Sequence, residues 1–112
     1  MATINKKSLD SPDETMKPTD NVKAEVVKMG ELTFQRVTVQ PGWRWSKDLK
    51  PVVKTDSCQK DHLMYIISGK VSAQMNDGKV EEFSAGDVAS VPPGHDGWND
   101  GEEPAVWLEI PH

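Results

Sequence analysis

The sequence predicts an all-β fold, a small barrel or sandwich, on three observations. No segment of about a dozen residues shows helical periodicity. Some six to eight short runs rich in Val, Ile, Thr and aromatic residues follow one another, as strands do. Gly, Pro and Asp turn signals separate these runs. The strongest is Asn76-Asp77-Gly78-Lys79, because Asp-Gly tolerates the positive φ of a type I′ hairpin loop. At 112 residues the chain is one domain, long enough to bury a core without disulfide staples.

In chain order, residues 1–21 carry Lys6, Lys7, Asp10, Asp13, Glu14, Lys17 and Asp20 with Pro12 and Pro18. So little apolar surface does not offset ordering entropy alone, so this stretch reads as a polar arm, with Ile4, Leu9 and Met16 as its docking points. The barrel domain is expected over residues 22–112. Glu25 to Met29 and Leu32 to Val39 are β-branched runs split by Gly30, a hairpin pattern. Pro41-Gly42 stops the second run. Trp43-Arg44-Trp45 places two indoles on one face if extended, and Lys47 to Thr55, with Pro51, reads as a loop or irregular edge. Leu63 to Ile67 is the clearest strand, ended by Ser68-Gly69. Val71, Ala73 and Met75 alternate with Ser72, Gln74 and Asn76, one face dry and one wet. Val80 to Phe83 pairs back across the hairpin, Ala85-Gly86-Asp87 turns, and Val88 to Val91 is short and apolar. Pro92-Pro93-Gly94 bends the chain, Asn99-Asp100-Gly101 turns it, and Ala105 to Ile110 is the last strand.

Composition removes several functions. Net charge is −5, without the clustered Lys and Arg that phosphates reward, so nucleic acid is not the expected partner. The longest purely apolar run, Leu63 to Ile67, falls far short of a bilayer span. The two N-terminal lysines have no apolar segment behind them, so the start does not read as a signal peptide. One cysteine makes no internal disulfide, which fits a reducing cytoplasm.

Two clusters carry the reactive side chains. The first is DSCQKDHLMYIISG, Asp56 to Gly69, and the second is GDVASVPPGHDGWN, Gly86 to Asn99. Their spacings resemble those of the cupin family, small jelly-roll barrels with two motifs around a central hairpin. The family's second motif has the form G-x5-P-x-G-x2-H-x3-N, and Gly86, Pro92 and Gly94 fall on it. Its histidine position falls on Gly97, with His95 two residues earlier and on the same side of an extended chain; Asn99 lies near the asparagine position. The first motif has the form G-x5-H-x-H-x3-E-x6-G. Counted back from Gly69, its ligand positions fall on Asp56, Cys58 and His62. PGWRWS at Pro41 to Ser46, DSCQ at Asp56 to Gln59 and PPGHDGW at Pro92 to Trp98 are similar to a group of small single-domain bacterial cupins, and SPDET at Ser11 to Thr15 also fits. The resemblance implies a cupin-type jelly roll over most of the chain. Family members include dioxygenases, isomerases and decarboxylases, and the altered ligand set selects none of these.

Read as chemistry, Cys58, His62 and His95 form a candidate first ligand set for a divalent transition metal such as zinc, iron or copper. Asp56 is a further ligand or an acceptor for an imidazole N–H. Three protein ligands leave open positions, the pattern of a catalytic site. The competing reading is a buried neutral cysteine with two hydrogen-bonded histidines. Four tryptophans are among the seven aromatic side chains. Trp45 and Trp98 are candidates to hold a small-molecule ligand, with Arg44 steering a carboxylate; core filling and a solvated arginine are the competing readings. Leu63, Tyr65 and Ile67 form a second apolar row behind His62, Met64 and Ile66. A strand apolar on both faces needs cover on both, which predicts a homodimer. Two classes of function remain: a metal-dependent small-molecule enzyme, and a non-catalytic ligand-binding or scaffold barrel.

Overall fold

The computed structural model describes residues 3–53 and 61–112. Among them the chain forms β1 (Glu14–Thr19), β2 (Val22–Met29), β3 (Leu32–Val39), α1 (Trp45–Asp48), α2 (Lys50–Val53), β4 (His62–Ser68), β5 (Lys70–Met75), β6 (Val80–Ser84), β7 (Val88–Val91), β8 (His95–Trp98) and β9 (Ala105–Glu109). All pairings are antiparallel. A six-stranded sheet runs β1-β2-β3-β9-β4-β7, and a three-stranded sheet runs β6-β5-β8. Each sheet has one apolar face, and the two faces close on each other, so the fold is a jelly-roll β-sandwich. No helix among the described residues is long and apolar enough to cross a membrane.

The period of two decides which residues meet inside. Val22 and Ala24 of β2, Val39 of β3, Ala105 and Trp107 of β9, Met64 and Ile66 of β4, and Ala89 and Val91 of β7 are buried from the larger sheet, and Val71 of β5 from the smaller. The intervening residues of β4 face outward, where Tyr65 and Ile67 are exposed. Opposite β9, Ile66 pairs with Trp107 but Ser68 with Val106. That register shift is a bulge that bends β4 into the Gly69 turn.

The segment expected as a polar arm contributes β1, an edge strand whose side chains are nearly all exposed. Polar bonds hold it more than burial does: Ile4 is fully solvated and Met16 exposed, while Leu9 is half-buried. Asp13 accepts the Lys28 backbone N–H at 2.8 Å and a Lys7 ion pair at 2.8 Å. Arg36 makes a bidentate pair with Glu25, its direct cross-strand partner, at 3.0 Å to each oxygen. The same guanidinium reaches Asp10 at 2.9 Å and the Leu9 carbonyl at 3.3 Å. It therefore ties the N-terminal segment to the β2–β3 hairpin.

This arginine sets a pH dependence. Its hydrogen bonds hold the Glu25 carboxyl below the ordinary value of 4.5. A carboxyl lowered in the folded state adds stability above its unfolded value, and that stability is lost as pH falls through the folded value. Arg36→Met is therefore expected to lower the melting temperature at neutral pH. The gap from wild type should narrow as melts are taken below pH 4.5 and through the lowered value of the Glu25 carboxyl. A gap that is constant with pH would assign the loss to the arginine's apolar stem instead.

Two stretches depart from the sequence reading. The loop expected over Lys47 to Thr55 begins with helical turns, because Asp48 accepts the Arg44 backbone N–H at 3.0 Å and Asp96 accepts that of Ser46 at 3.0 Å. These side chains satisfy backbone donors that so short a helix leaves open. The bend at Pro92-Pro93-Gly94 leads straight into β8, whose partner is β5, with Met75 opposite His95 and Ala73 opposite Gly97. The turn that follows is fastened by Asn99. Its side chain donates to the carbonyls of Val39 and Glu103 and accepts from the Gly101 N–H, while only 1% of the residue is exposed.

Candidate functional site

Between the sheets lies a cavity of about 410 Å³. Trp43, Trp45, Trp107, Met64, Phe83 and Val39 form much of its wall, and His62, His95 and Glu109 supply polar groups. His62 opens β4 on the same inward row as Met64 and Ile66. His95 opens β8 in the opposite sheet, on the inward row it shares with Gly97. The two sheets thus bring imidazoles from the two sequence clusters together, with ring centroids 5.0 Å apart at an edge-to-face angle of 63°.

Gly97 shows why the imidazole comes from position 95. A Cβ at residue 97 would sit 3.2 Å from Trp43 Cη2. The indole of Trp43 occupies the volume that a larger side chain there would need.

Both rings are fixed at Nδ1. His95 Nδ1 lies 2.8 Å from the Pro92 carbonyl oxygen. A carbonyl only accepts, so this nitrogen donates, and in the neutral ring Nε2 carries the lone pair. His62 Nδ1 lies 2.6 Å from Glu109 Oε1, and Trp107 Nε1 donates to Glu109 Oε2 at 2.6 Å. Glu109 is 7% exposed, a buried carboxylate acceptable only because donors meet it. Imidazoles anchored in this way by a carboxylate and a backbone carbonyl have the outer arrangement of metal-ligating histidines. The donor chemistry therefore fits a divalent transition metal. Among the described residues no three His, Cys, Asp or Glu side chains gather into a complete metal cluster.

The candidate residues separate cleanly. His62 and His95 are in the cavity, and Trp45 lines it, buried. Asp56 and Cys58 lie outside the described residues. Arg44 and Trp98 are not among the residues lining the cavity. On β8, inward His95 and Gly97 leave Asp96 and Trp98 facing the other way. The Arg44 guanidinium stacks 4.6 Å from the Trp98 ring centroid and pairs with Asp96 at 3.2 Å. These two residues border a separate hollow of about 290 Å³ together with Gly42 and Asn99.

Glu109 is the site residue that sequence spacing did not reveal, because it belongs to neither motif. Its signal was present in the last strand. Ala105, Trp107 and Glu109 share one face, and a carboxylate on the inward row of a core strand requires buried partners.

Comparison with known proteins agrees with this fold. A family model described as Cupin domain matches residues 35–111. The structure is similar to a protein of unknown function from Rhizobium leguminosarum, with 18% identity, a TM-score of 0.67, and 99% of this chain and 100% of the other covered. It is also similar to oxalate decarboxylase from Bacillus subtilis, with 28% identity and a TM-score of 0.59, covering 88% of this chain and 27% of the enzyme. For oxalate decarboxylase from Lactobacillus farciminis the figures are 20%, 0.59, 87% and 30%. The chain thus spans less than a third of either decarboxylase. A search of curated proteins found no match. With the family model covering most of the chain and the jelly roll carrying both motifs, the protein belongs to the cupin family.

Proposed function

We propose that the barrel binds a small molecule beside a divalent transition metal held by His62 and His95, with Cys58 and Asp56 as the further ligand candidates. The observation that carries this reading is the pair of imidazoles, one from each sheet, anchored at Nδ1 and facing each other in an apolar cavity. Zinc, iron and copper suit such imidazole and thiolate donors. The Mn(II) centres of the Bacillus subtilis oxalate decarboxylase belong to a protein of the same fold and lend the reading support. A metal held by these residues would supply Lewis-acid chemistry, polarising a ligand oxygen or activating water. The chain's own residues do the remainder: Glu109 and the Pro92 carbonyl orient the rings, and the aromatic wall keeps water out.

The test is metal analysis of protein purified without added metal, followed by titration. Near one equivalent of zinc, iron or copper is expected, with His62→Ala, His95→Ala and Cys58→Ser each losing most of it while wild-type folding is retained by circular dichroism. A wild-type protein that carries no metal and takes up none would leave the non-catalytic ligand-binding barrel as the correct description.

The outer face of β4 supports a second proposal, a homodimer. Tyr65 pairs across strands with Val88 and Leu108. Tyr65, Ile67 and Val88 are 42%, 44% and 69% exposed, an adjoining set of large apolar groups that a second copy of the same face would cover. Sedimentation at micromolar concentration should give the dimer mass for wild type and the monomer mass for Tyr65→Glu. A monomeric wild type refutes the interface.

A further inference from the structure

We infer that Gln35 reads the polar head of the barrel's ligand, and that this head is neutral with N–H and C=O on adjacent atoms, as in a lactam. The inference rests on reading the barrel as a small-molecule site. The register of the larger sheet shows where the cavity is polar. On β3, Gln35, Val37 and Val39 share the inward row, while Arg36 between them pairs with Glu25 on the other face. Gln35 stands directly opposite Glu109 of β9. Glu109 meets His62 at 2.6 Å, and the His62 ring lies 5.0 Å from that of His95. These polar side chains therefore gather at one end. Toward the other end the row closes on Val39 and Ala105, a cross-strand pair in which each residue is 0% exposed. Exposure rises along β3 from buried Val39 to half-buried Val37 and Gln35, and His62 is half-buried too. The polar end is the open one.

Gln35 is the one carboxamide among the described lining residues. It does not titrate, and it keeps a donor and an acceptor whether or not a metal sits at the histidines. Ser72 pairs with Trp98 across β5 and β8, so the pleat puts its hydroxyl on the side of Trp98, away from Val71 and Ala73. Trp107 Nε1 is occupied by Glu109. The Trp43 indole N–H is buried without an acceptor, beneath the cavity surface.

A ligand that fills the open end takes water away from both halves of the carboxamide, and each half left unmet then weakens binding. An alkyl head meets neither half. A carboxylate meets the NH2 group and leaves the Gln35 oxygen against another acceptor. A lactam edge meets both at once, its N–H donating to the Gln35 oxygen and its C=O accepting from the NH2 group. The wall behind suits a ring system. An engineered cavity of ~150 Å³ holds benzene, so about 410 Å³ admits two fused rings. Trp43 and Trp107, with centroids 6.4 Å apart and tilted by 55°, offer such a body stacking and edge contacts.

The experiment is calorimetric titration of the full chain, as purified, with 2-quinolone and with 1-methyl-2-quinolone. Both probes carry the carbonyl oxygen that a metal at the histidines would contact, so the comparison isolates the N–H. Wild type should bind 2-quinolone at one per chain and about tenfold more tightly than the methylated probe. In Gln35→Leu the two affinities should fall within about twofold of each other, with metal content unchanged. A preference that persists in Gln35→Leu would belong to the bulk of the methyl group and overturns the role of Gln35. Should that variant fail to fold, the Gln35 side-chain NH2 resonances of wild type decide instead. They should shift on adding 2-quinolone, and binding without that shift overturns the inference. So does equal binding of the two probes by wild type, or no binding of either. Metal analysis is scored separately. Metal uptake without quinolone binding defeats the ligand class alone, and the quinolone preference without metal uptake defeats the metal reading alone.

Discussion

Glu109→Gln is expected to lower stability by about 2 kcal/mol and to weaken metal affinity by about tenfold to a hundredfold, although it preserves shape. Glu109 accepts from two N–H donors on different oxygens, His62 Nδ1 and Trp107 Nε1, each at 2.6 Å. A glutamine offers one oxygen and one NH2 group. With its oxygen on His62 the NH2 group faces the Trp107 N–H inside the core, where burial keeps water from relieving the clash. With its oxygen on Trp107 the NH2 group faces His62 Nδ1, which accepts only if the ring proton moves to Nε2 and so gives up the lone pair a metal needs. Thermal or urea melts measure the first effect, and competition with a chromophoric chelator measures the second. A double-mutant cycle identifies the cause. In Trp107→Phe the second donor is gone, so adding Glu109→Gln should cost less than it does in wild type, with a coupling energy of about 1 kcal/mol. Strict additivity would mean that the carboxylate and the indole act independently and that the proposed positioning role is wrong.

Why the sequence displayed His62 and His95 but not Glu109 has a physical answer. Motif spacing is a local property, and the two histidines stand in the local clusters that turn chemistry delimits. Glu109 reaches His62 through strand order, because β9 lies beside β4 in the sheet while 47 residues separate the two in the chain. The strands with an apolar inner row, such as β5 and β9, were legible because burial imposes a period of two on them. Two others were not. β1 has no buried row and owes its place to Asp13 and backbone pairing, so composition made it look like an arm. β8, His95-Asp96-Gly97-Trp98, shows no apolar row, because its inward side is a histidine and a glycine beneath Trp43. The same alternation explains Arg44 and Trp98. Residue types suggested a ligand site, and the pleat turned them to the other side. Of the candidate site, the histidine pair and Trp45 came from the sequence, and the carboxylate that orders the pair came only from topology.

Gly69→Val is expected to be the most destabilising single substitution outside the cavity, costing at least about 3 kcal/mol, whereas Gly30→Val should cost about 1 to 2 kcal/mol. Both glycines have positive φ, 74° and 61°, so both variants force a β-branched residue into the left-handed region. The surroundings distinguish them. A Cβ at Gly30 meets nothing within 4 Å, but one at Gly69 would lie 2.7 Å from Ala105 Cα and would also strike the Pro104 carbonyl oxygen. Backbone cannot swing aside as a flexible side-chain tip does. Ala105 is fully buried and pairs with Val39 in the β3–β9 ladder. Displacing it therefore disturbs strand pairing that also carries Trp107 and Glu109 to the cavity. The Gly69 variant should lose both unfolding free energy in urea and metal affinity, and the Gly30 variant should lose only the backbone penalty. Equal losses at the two positions would show that left-handed strain alone accounts for them, and that the close approach of the β4–β5 turn to β9 contributes nothing.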